Sequence, residues 1–450
     1  MQLFFVFASV CVNIFFCIGW SCYIVGKQLL LAIALFILYL LGFCWLITRI
    51  RFFTQAGLSK PILIALFICK IAAAIVYAWF YNLPQYYAGS DTWRFFEQSK
   101  SETDLLLTNP AGFVSDIFHH GYSSSGNIFY GHNTYWNDLK SNVVIKLMAI
   151  FNVFTFKSYY ANIIFFNFIF FFGPVAFYRV MKEVFIQKKI LMTATIFLLP
   201  SFVFWCSGVH KDGLIFCCLA LIIYYFYGQL KAKKIIPVPF IICIFCFLLL
   251  FALRNFICLL LVPSLVVWCI CHFWGSQKIL AVAGVYGLCI LLFFVLPYVN
   301  SSLNFPQYAV EKQNEFKQLE GNAQIPVKQL QPNFASFVKF LPSALDIALL
   351  RPHISEIRNA SYLPAICELF LLWFLTGLFF FSKKNLPVNG QHIALVIFCF
   401  CFAFSYLLLS GYTITNSGAI VRYKSLVLPL IFCPLICMAN ITDRLIIKNS

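Results

Sequence analysis

The sequence predicts an all-α polytopic membrane protein, and three observations carry that prediction. The chain is 62% hydrophobic and 10% charged, whereas soluble domains carry about 25% charged residues. Its mean hydropathy is +0.88. Apolar runs long enough to cross a bilayer recur along most of its length, and inside lipid every backbone polar group must be paired internally, so helices are the default.

The expected spans are 3–25, 28–48, 61–82, 158–180, 190–206, 212–228, 236–252, 256–274, 278–298, 362–381, 392–410 and 419–440. That is about twelve, within a range of ten to thirteen, on the rule that a span needs about 20 apolar residues. Val143 to Thr155 is apolar but short, so an interfacial or re-entrant helix is expected there. The whole chain, 1–450, reads as a single integral-membrane domain, interrupted by a first loop over 83–157 with interfacial helices and a second over 300–361.

Orientation follows from Lys and Arg in the short loops. Arg49, Arg51, Lys60, Arg179, Lys182, Lys188, Lys189, Lys231, Lys233, Lys234, Lys278, Lys383, Lys384, Arg444 and Lys448 fall on one side, with Glu183 and Asp443 as the acids among them. This side is expected to be cytoplasmic, with both termini on it and both large loops outside. The formal net charge of +17 is therefore mostly a topology signal. It does not indicate nucleic-acid binding, for which basic residues cluster on a soluble module.

Nearly all of the 19 Cys lie in apolar runs, where cysteine is a small apolar residue. Neither long loop contains one, so no disulfide scaffold is expected. Cys243 and Cys246 form a CxxC without a second pair at metal-site spacing. The N-terminus has no basic stretch before its apolar run and no obvious small-residue cleavage site, so it reads as a retained span. Phe, at 55 residues, is expected mainly as filler on lipid-facing helices.

With that topology the unusual polar residues converge on the outer face. Asp91, in Tyr86-Tyr87-Ala88-Gly89-Ser90-Asp91, should lie at the membrane surface. A carboxylate beside an apolar wall has its proton affinity raised, which suits a general base, although an Asp at this position could also cap the following helix. His210-Lys211-Asp212 puts three ionisable residues in a short turn, where Lys211 can meet a phosphate while Asp212 holds Lys211 or caps the next helix. Arg254-Asn255 marks another tight outer turn. Arg351-Pro352-His353 precedes the tenth span, and Asn416-Ser417-Gly418 lead into Arg422-Tyr423-Lys424, about one turn inside the last. Charges at that depth usually line a cavity or meet a partner, and arginine can grip phosphate through a bidentate fork.

An outer-loop acid, juxtamembrane helices and basic residues on later outer loops resemble the GT-C superfamily of integral-membrane glycosyltransferases. The segments PSFVFWCSGVHKDG and NSGAIVRYKSLVLP are similar to those of bacterial exopolysaccharide glycosyltransferases and O-antigen-type polymerases. The resemblance implies transfer of a sugar from a polyprenyl-phosphate donor to an acceptor hydroxyl on a glycan, lipid or protein. The work would take place at the outer face of a bacterial cytoplasmic membrane, in cell-envelope polysaccharide synthesis. It implies Asp91 as the catalytic acid residue and Lys211, Arg254, Arg351 and Arg422 as donor-phosphate ligands; the neighbouring His210, Asp212, His353 and Lys424 are expected beside them in the substrate- or phosphate-binding set. Ser90-Asp91-Thr92 offers one acid rather than a pair, so neither a metal nor another cofactor is expected. Polymerisation of lipid-diphosphate-linked repeats is a second reading and transport of a lipid-linked sugar a third. The latter needs ionisable residues near mid-membrane, where the sequence offers Lys70, and broken helices in matching halves.

Overall fold

The computed structural model describes residues 26–118, 126–129, 134–186, 188–275, 277–318, 324–356, 362–381 and 390–439. The expected first span, 3–25, lies outside them, as do His119, His120, Lys383, Lys384, Arg444 and Lys448. Among the described residues the protein is all-helical, with one isolated bridge between Gln324 and Asn416.

The principal helices are α1 (Gly26–Ile47), α2 (Lys60–Tyr81), α3 (Asp91–Thr108), α4 (Tyr135–Thr155), α5 (Tyr159–Val184), α6 (Lys189–Phe197), α7 (Pro200–Trp205), α8 (Lys211–Ala232), α9 (Pro237–Phe273), α10 (Lys278–Val299), α11 (Phe305–Gln318), α12 (Phe334–Leu345), α13 (Leu363–Phe381), α14 (Gly390–Thr413) and α15 (Ser417–Met438). Among the described residues eight are long and apolar enough to cross a membrane: α2, α5, α8, α9, α10, α13, α14 and α15.

One element departs from the expected spans. The run 190–206 is two short helices, because Pro200 lacks an N–H and excludes Leu199 from helical geometry. Instead of crossing as one rod, it breaks and leads down to the His210 turn. The expected turn between 236–252 and 256–274 is present at Arg254, whose extended backbone (φ −160°, ψ 79°) interrupts α9. Cys258 Sγ donates to the Phe247 carbonyl at 3.5 Å. Eleven residues of straight helix would separate them by roughly 16 Å, so the chain doubles back here and Arg254 sits at the apex.

The first long loop is more regular than its composition implies. α3 and α4 pack as an antiparallel pair, tied by Lys146 to Glu102 (2.7 Å) and Asp116 (3.1 Å) and by Asn152 to Ser99 and Thr103. The short helix over Val143 to Thr155 extends back to Tyr135. α5 and α8 pack against each other in the protein's centre, where Gly173 brings the backbone of Cys217 within 2.8 Å of where a Cβ would stand. Phenylalanine is not merely lipid-facing filler: Phe166, Phe170, Phe171 and Phe177 on α5 are fully buried.

Candidate functional site

Four elements meet at the turn after α7. The turn 206–210 is held by Lys70 Nζ on the Cys206 carbonyl (2.5 Å) and the Ser207 hydroxyl (3.1 Å), by Asn167 on the Ser207 carbonyl (2.9 Å), and by Thr92 on the Val209 carbonyl (2.8 Å). Gly208 is required there: a Cβ would meet the Tyr77 ring at 2.6 Å. This rigid turn delivers His210, Lys211 and Asp212 to the start of α8.

Asp212 is the hub. It is 1% exposed, and its two oxygens take Arg254 Nη2 at 2.7 Å and Arg422 Nε at 2.5 Å. It therefore neither holds Lys211 nor caps α8. The cap is His210, whose Nδ1 accepts from the Asp212 N–H at 3.1 Å. That assigns the ring proton to Nε2, which has no hydrogen-bond partner among the described residues. Burial pushes the imidazole pKa down to about 3 against the pull of Asp212. The 3.5 Å approach of the ring to the Asp212 carboxylate is thus the contact of a neutral ring, not an ion pair.

Arg422 continues to Asp91, with Nη1 3.7 Å from Oδ2, while Arg94 meets the other Asp91 oxygen at 2.9 Å. Ser90, not Asp91, caps α3, accepting from Trp93 N at 3.3 Å. The expectation that Asp91 has raised proton affinity is overturned. Burial does push its carboxyl up, but Arg422, Lys211 and Arg94 outweigh it and hold the pKa below the usual carboxylate range. Its place in the first turn of a helix acts in the same direction.

Lys211 is half-buried and makes no hydrogen bond or ion pair among the described residues. It stands in the field of Asp91, Arg254 and Arg422. Aromatic rings surround the group: Arg422 lies over Trp205 (5.5 Å) and Arg254 over Tyr423 (4.3 Å). Tyr77 packs on His210, with ring centroids 5.0 Å apart. Arg254 Nη1 also donates to Tyr406 (3.2 Å), and Asn255 reaches the Ile128 carbonyl of the first loop.

The structure does not gather every expected cation here. Arg422 and Lys424 are two residues apart on α15, about 200° around the helix, and they face different partners. Lys424 donates to the Arg351 carbonyl. Arg351 itself is occupied by Asp346 (3.0 Å) and Glu356, and His353 by Asp346 (2.9 Å). Among the described residues no hydrogen bond or ion pair joins this second group to the first. Arg351 uses its Nε and Nη1 donors on these neighbouring acids.

One residue escaped the sequence reading. Lys140, on α4, is half-buried and likewise makes no hydrogen bond or ion pair among the described residues. Burial, Lys312 and Arg254 lower its pKa to about 8 against the opposing pull of Glu315. An isolated lysine in a polar loop segment gives no sequence signal, because its significance comes from the approach of α9 and α11. Comparison with models of protein families, with curated proteins and with solved structures finds no match to the chain.

Proposed function

We propose that this chain is a membrane glycosyltransferase of GT-C type. It transfers a sugar from a polyprenyl-phosphate donor to an acceptor hydroxyl on the outer side of a bacterial cytoplasmic membrane. The observation that carries this reading is Lys211: a cation without a bonded partner among the described residues, held by a rigid turn, within the field of a carboxylate and two arginines. Such a group suits an anionic ligand whose apolar tail remains in the bilayer. The topology belongs to the same proposal, with about twelve spans, both termini inside, and the loops at 83–157 and 300–361 outside.

In the reaction the acceptor oxygen attacks the anomeric carbon while the bond from that carbon to the phosphate oxygen breaks. The bonding pair leaves with the lipid phosphate, and Lys211 and Arg422 stabilise the charge growing there, a preorganised contribution of about 3 kcal/mol or more per donor. Asp91 accepts the acceptor's proton. Its lowered proton affinity makes it a weak base, so the transfer comes late, when the hydroxyl has become acidic by bonding to carbon. Arg254 and Asp212 support the site without touching the sugar.

One observation favours the polymerase reading over single transfer. A second cation without a bonded partner among the described residues, Lys140, shares the field of Arg254, and two such lysines suit a diphosphate better than a monophosphate. The test is turnover of the purified protein with lipid-monophosphate and lipid-diphosphate sugars of equal chain length. Transfer from the monophosphate alone supports single transfer, and chain growth on the diphosphate supports polymerisation. Binding of both without a new glycosidic bond overturns the enzyme reading and favours transport.

A further inference from the structure

Asp91 and Thr92 are neighbours in the first turn of α3, yet they face different ways. Asp91 is half-buried and meets Arg94 and Arg422, whereas Thr92 is fully buried. The Thr92 hydroxyl donates to the Val209 carbonyl at 2.8 Å and stands 2.6 Å from the Tyr159 hydroxyl. A threonine hydroxyl carries one proton, so the Tyr159 phenol is the donor to Thr92. Trp93 stacks on the Tyr159 ring, with centroids 4.1 Å apart, and its Nε1–H donates to the Ala78 carbonyl of α2 at 3.3 Å. The start of α3 is thus fastened to α2, to α5 and to the turn before α8.

Only the bond to Val209 reaches the turn that carries Lys211, two residues further on. Among the described residues no other hydrogen bond joins α3 to the segment 206–212. The other route from Asp91 runs through Arg422, whose Nη1 is 3.7 Å from Asp91 and whose Nε is 2.5 Å from Asp212. A separation of 3.7 Å is too long for a hydrogen bond, so it leaves the carboxylate room to drift. Arg94 does not limit that drift, because it sits on α3 and moves with Asp91.

We infer that Thr92 is a positioning residue for the proposed transfer: its bond to Val209 fixes how far the Asp91 carboxylate stands from the Lys211 ammonium. The kinetic consequence rests on the transferase reading; the spacing itself does not. In that reaction Asp91 takes the acceptor's proton while Lys211 meets the charge growing on the phosphate, so the two act across one sugar. A misplacement of about 1 Å can cost about 100-fold in rate. The same spacing sets the electrostatics of Asp91. Burial raises its pKa, while Arg422, Lys211, Arg94 and His210 lower it and prevail. Tyr77 and Tyr81 of α2 also share its field. Slackening the turn weakens the pull of Lys211, and the carboxyl then takes up a proton more readily.

The test is Thr92→Val in the full chain, with Thr92→Ser and Thr103→Val beside it. Thr103 is also buried and donates within α3 to the Ser99 carbonyl at 2.6 Å. Its variant therefore reports the loss of a buried hydroxyl roughly 16 Å along the helix from Thr92. Each preparation gives a melting temperature, kcat and KM for the lipid-linked sugar, and the rate at which a carbodiimide couples glycine ethyl ester to Asp91 at pH 5. Peptide mass spectrometry follows the coupling, which needs the protonated carboxyl and no turnover. Thr92→Val should lower kcat ~10-fold or more with KM nearly unchanged, and raise coupling at Asp91 ~3-fold or more. Thr92→Ser keeps the hydroxyl and should restore both, while Thr103→Val should lower the melting temperature alone. Should Thr92→Val fail to fold, Tyr159→Phe, which keeps the stack on Trp93, makes the same comparison. An unchanged kcat or coupling rate in Thr92→Val overturns the proposal, as do changes that Thr103→Val reproduces. A wild type that transfers no sugar sinks the proposed function alone, and the coupling rates then decide the spacing by themselves.

Discussion

Asp212 and Arg422 stand 210 positions apart in the chain and meet at 2.5 Å, with the carboxylate almost wholly buried. Arg254 completes the arrangement from the opposite oxygen. One carboxylate thus pairs with two guanidiniums, and Asp91 takes up the remaining charge of Arg422.

Removing that hub should unfold the protein before it affects chemistry. Asp212→Asn leaves Arg254 without a counter-charge and Arg422 with Asp91 alone, and losing one member of a buried ion pair costs about 3–5 kcal/mol. Thermal unfolding in detergent should show a clear drop in melting temperature. Lys211→Met, by contrast, leaves no group unpaired and should melt at or above the wild-type temperature.

Lys211 and Arg422 should matter for donor use, and Lys100 should not. Lys211→Ala should lower kcat/KM for the lipid-linked sugar, and Arg422→Lys should recover only part of the Arg422→Ala loss, because a point charge lacks the fork geometry. Lys100, exposed and paired with Glu97, serves as the control. Arg351→Ala should have a smaller effect than Lys211→Ala, since its guanidinium is already occupied. Steady-state kinetics on one preparation compares all four positions.

Asp91→Asn should slow transfer at least ~100-fold, the low end for loss of a general base, while donor binding persists. Glu97, Asp104 and Asp116 are controls in the same loop. The Asp91 pKa is lowered, so the ionised form persists below the ordinary carboxylate range. Its contribution to stability is present above the unfolded value and lost only as pH falls through the lower folded value. The pH–rate profile should therefore show no acid limb from Asp91 between pH 5 and 7. Such a limb in the wild type, absent in Asp91→Asn, would remove the cation-paired description of this residue.

Lys140 should make ligand binding and stability respond to pH in opposite directions. With its pKa lowered to about 8, the folded chain loses this proton before the unfolded chain does, near 10.4. Stability from this residue thus rises between those values, while affinity for an anionic lipid falls as pH passes 8. Lys140→Arg should flatten the binding curve, as isothermal titration at pH 7 and pH 9 would show.

The orientation can be checked by labelling engineered cysteines. Sites at Asn127 and Asn322 should be accessible from outside, and sites at Lys233 and Lys383 from inside. Finding 127 and 233 on the same side would disperse the proposed site across the membrane.

Hydropathy located the membrane elements well: α2, α8, α10 and α13 begin and end within a few residues of the expected spans. Their boundaries are legible because the signal is local. The expected turn at Arg254-Asn255 appears as a reversal, and Pro200 breaks the segment before His210. Pairing is what the sequence leaves hidden. Arg351 and Arg422 look alike as basic residues near outer ends, yet one is neutralised by nearby acids and the other reaches a carboxylate on α8. Helical rotation separates Arg422 from Lys424, and only packing reveals which neighbour each face meets. Lys140 was missed for the same reason.

The reversal at Arg254 also bears on how the protein is made. Asp212 enters the nascent chain first, Arg254 follows 42 residues later and Arg422 another 168 after that. Over those 168 residues the buried carboxylate has only the first of its two arginines, and the cluster stays open until α15 arrives. Its closure is therefore a late event in biogenesis, one at which a chain with a misplaced last helix would present an unmatched charge to membrane quality control.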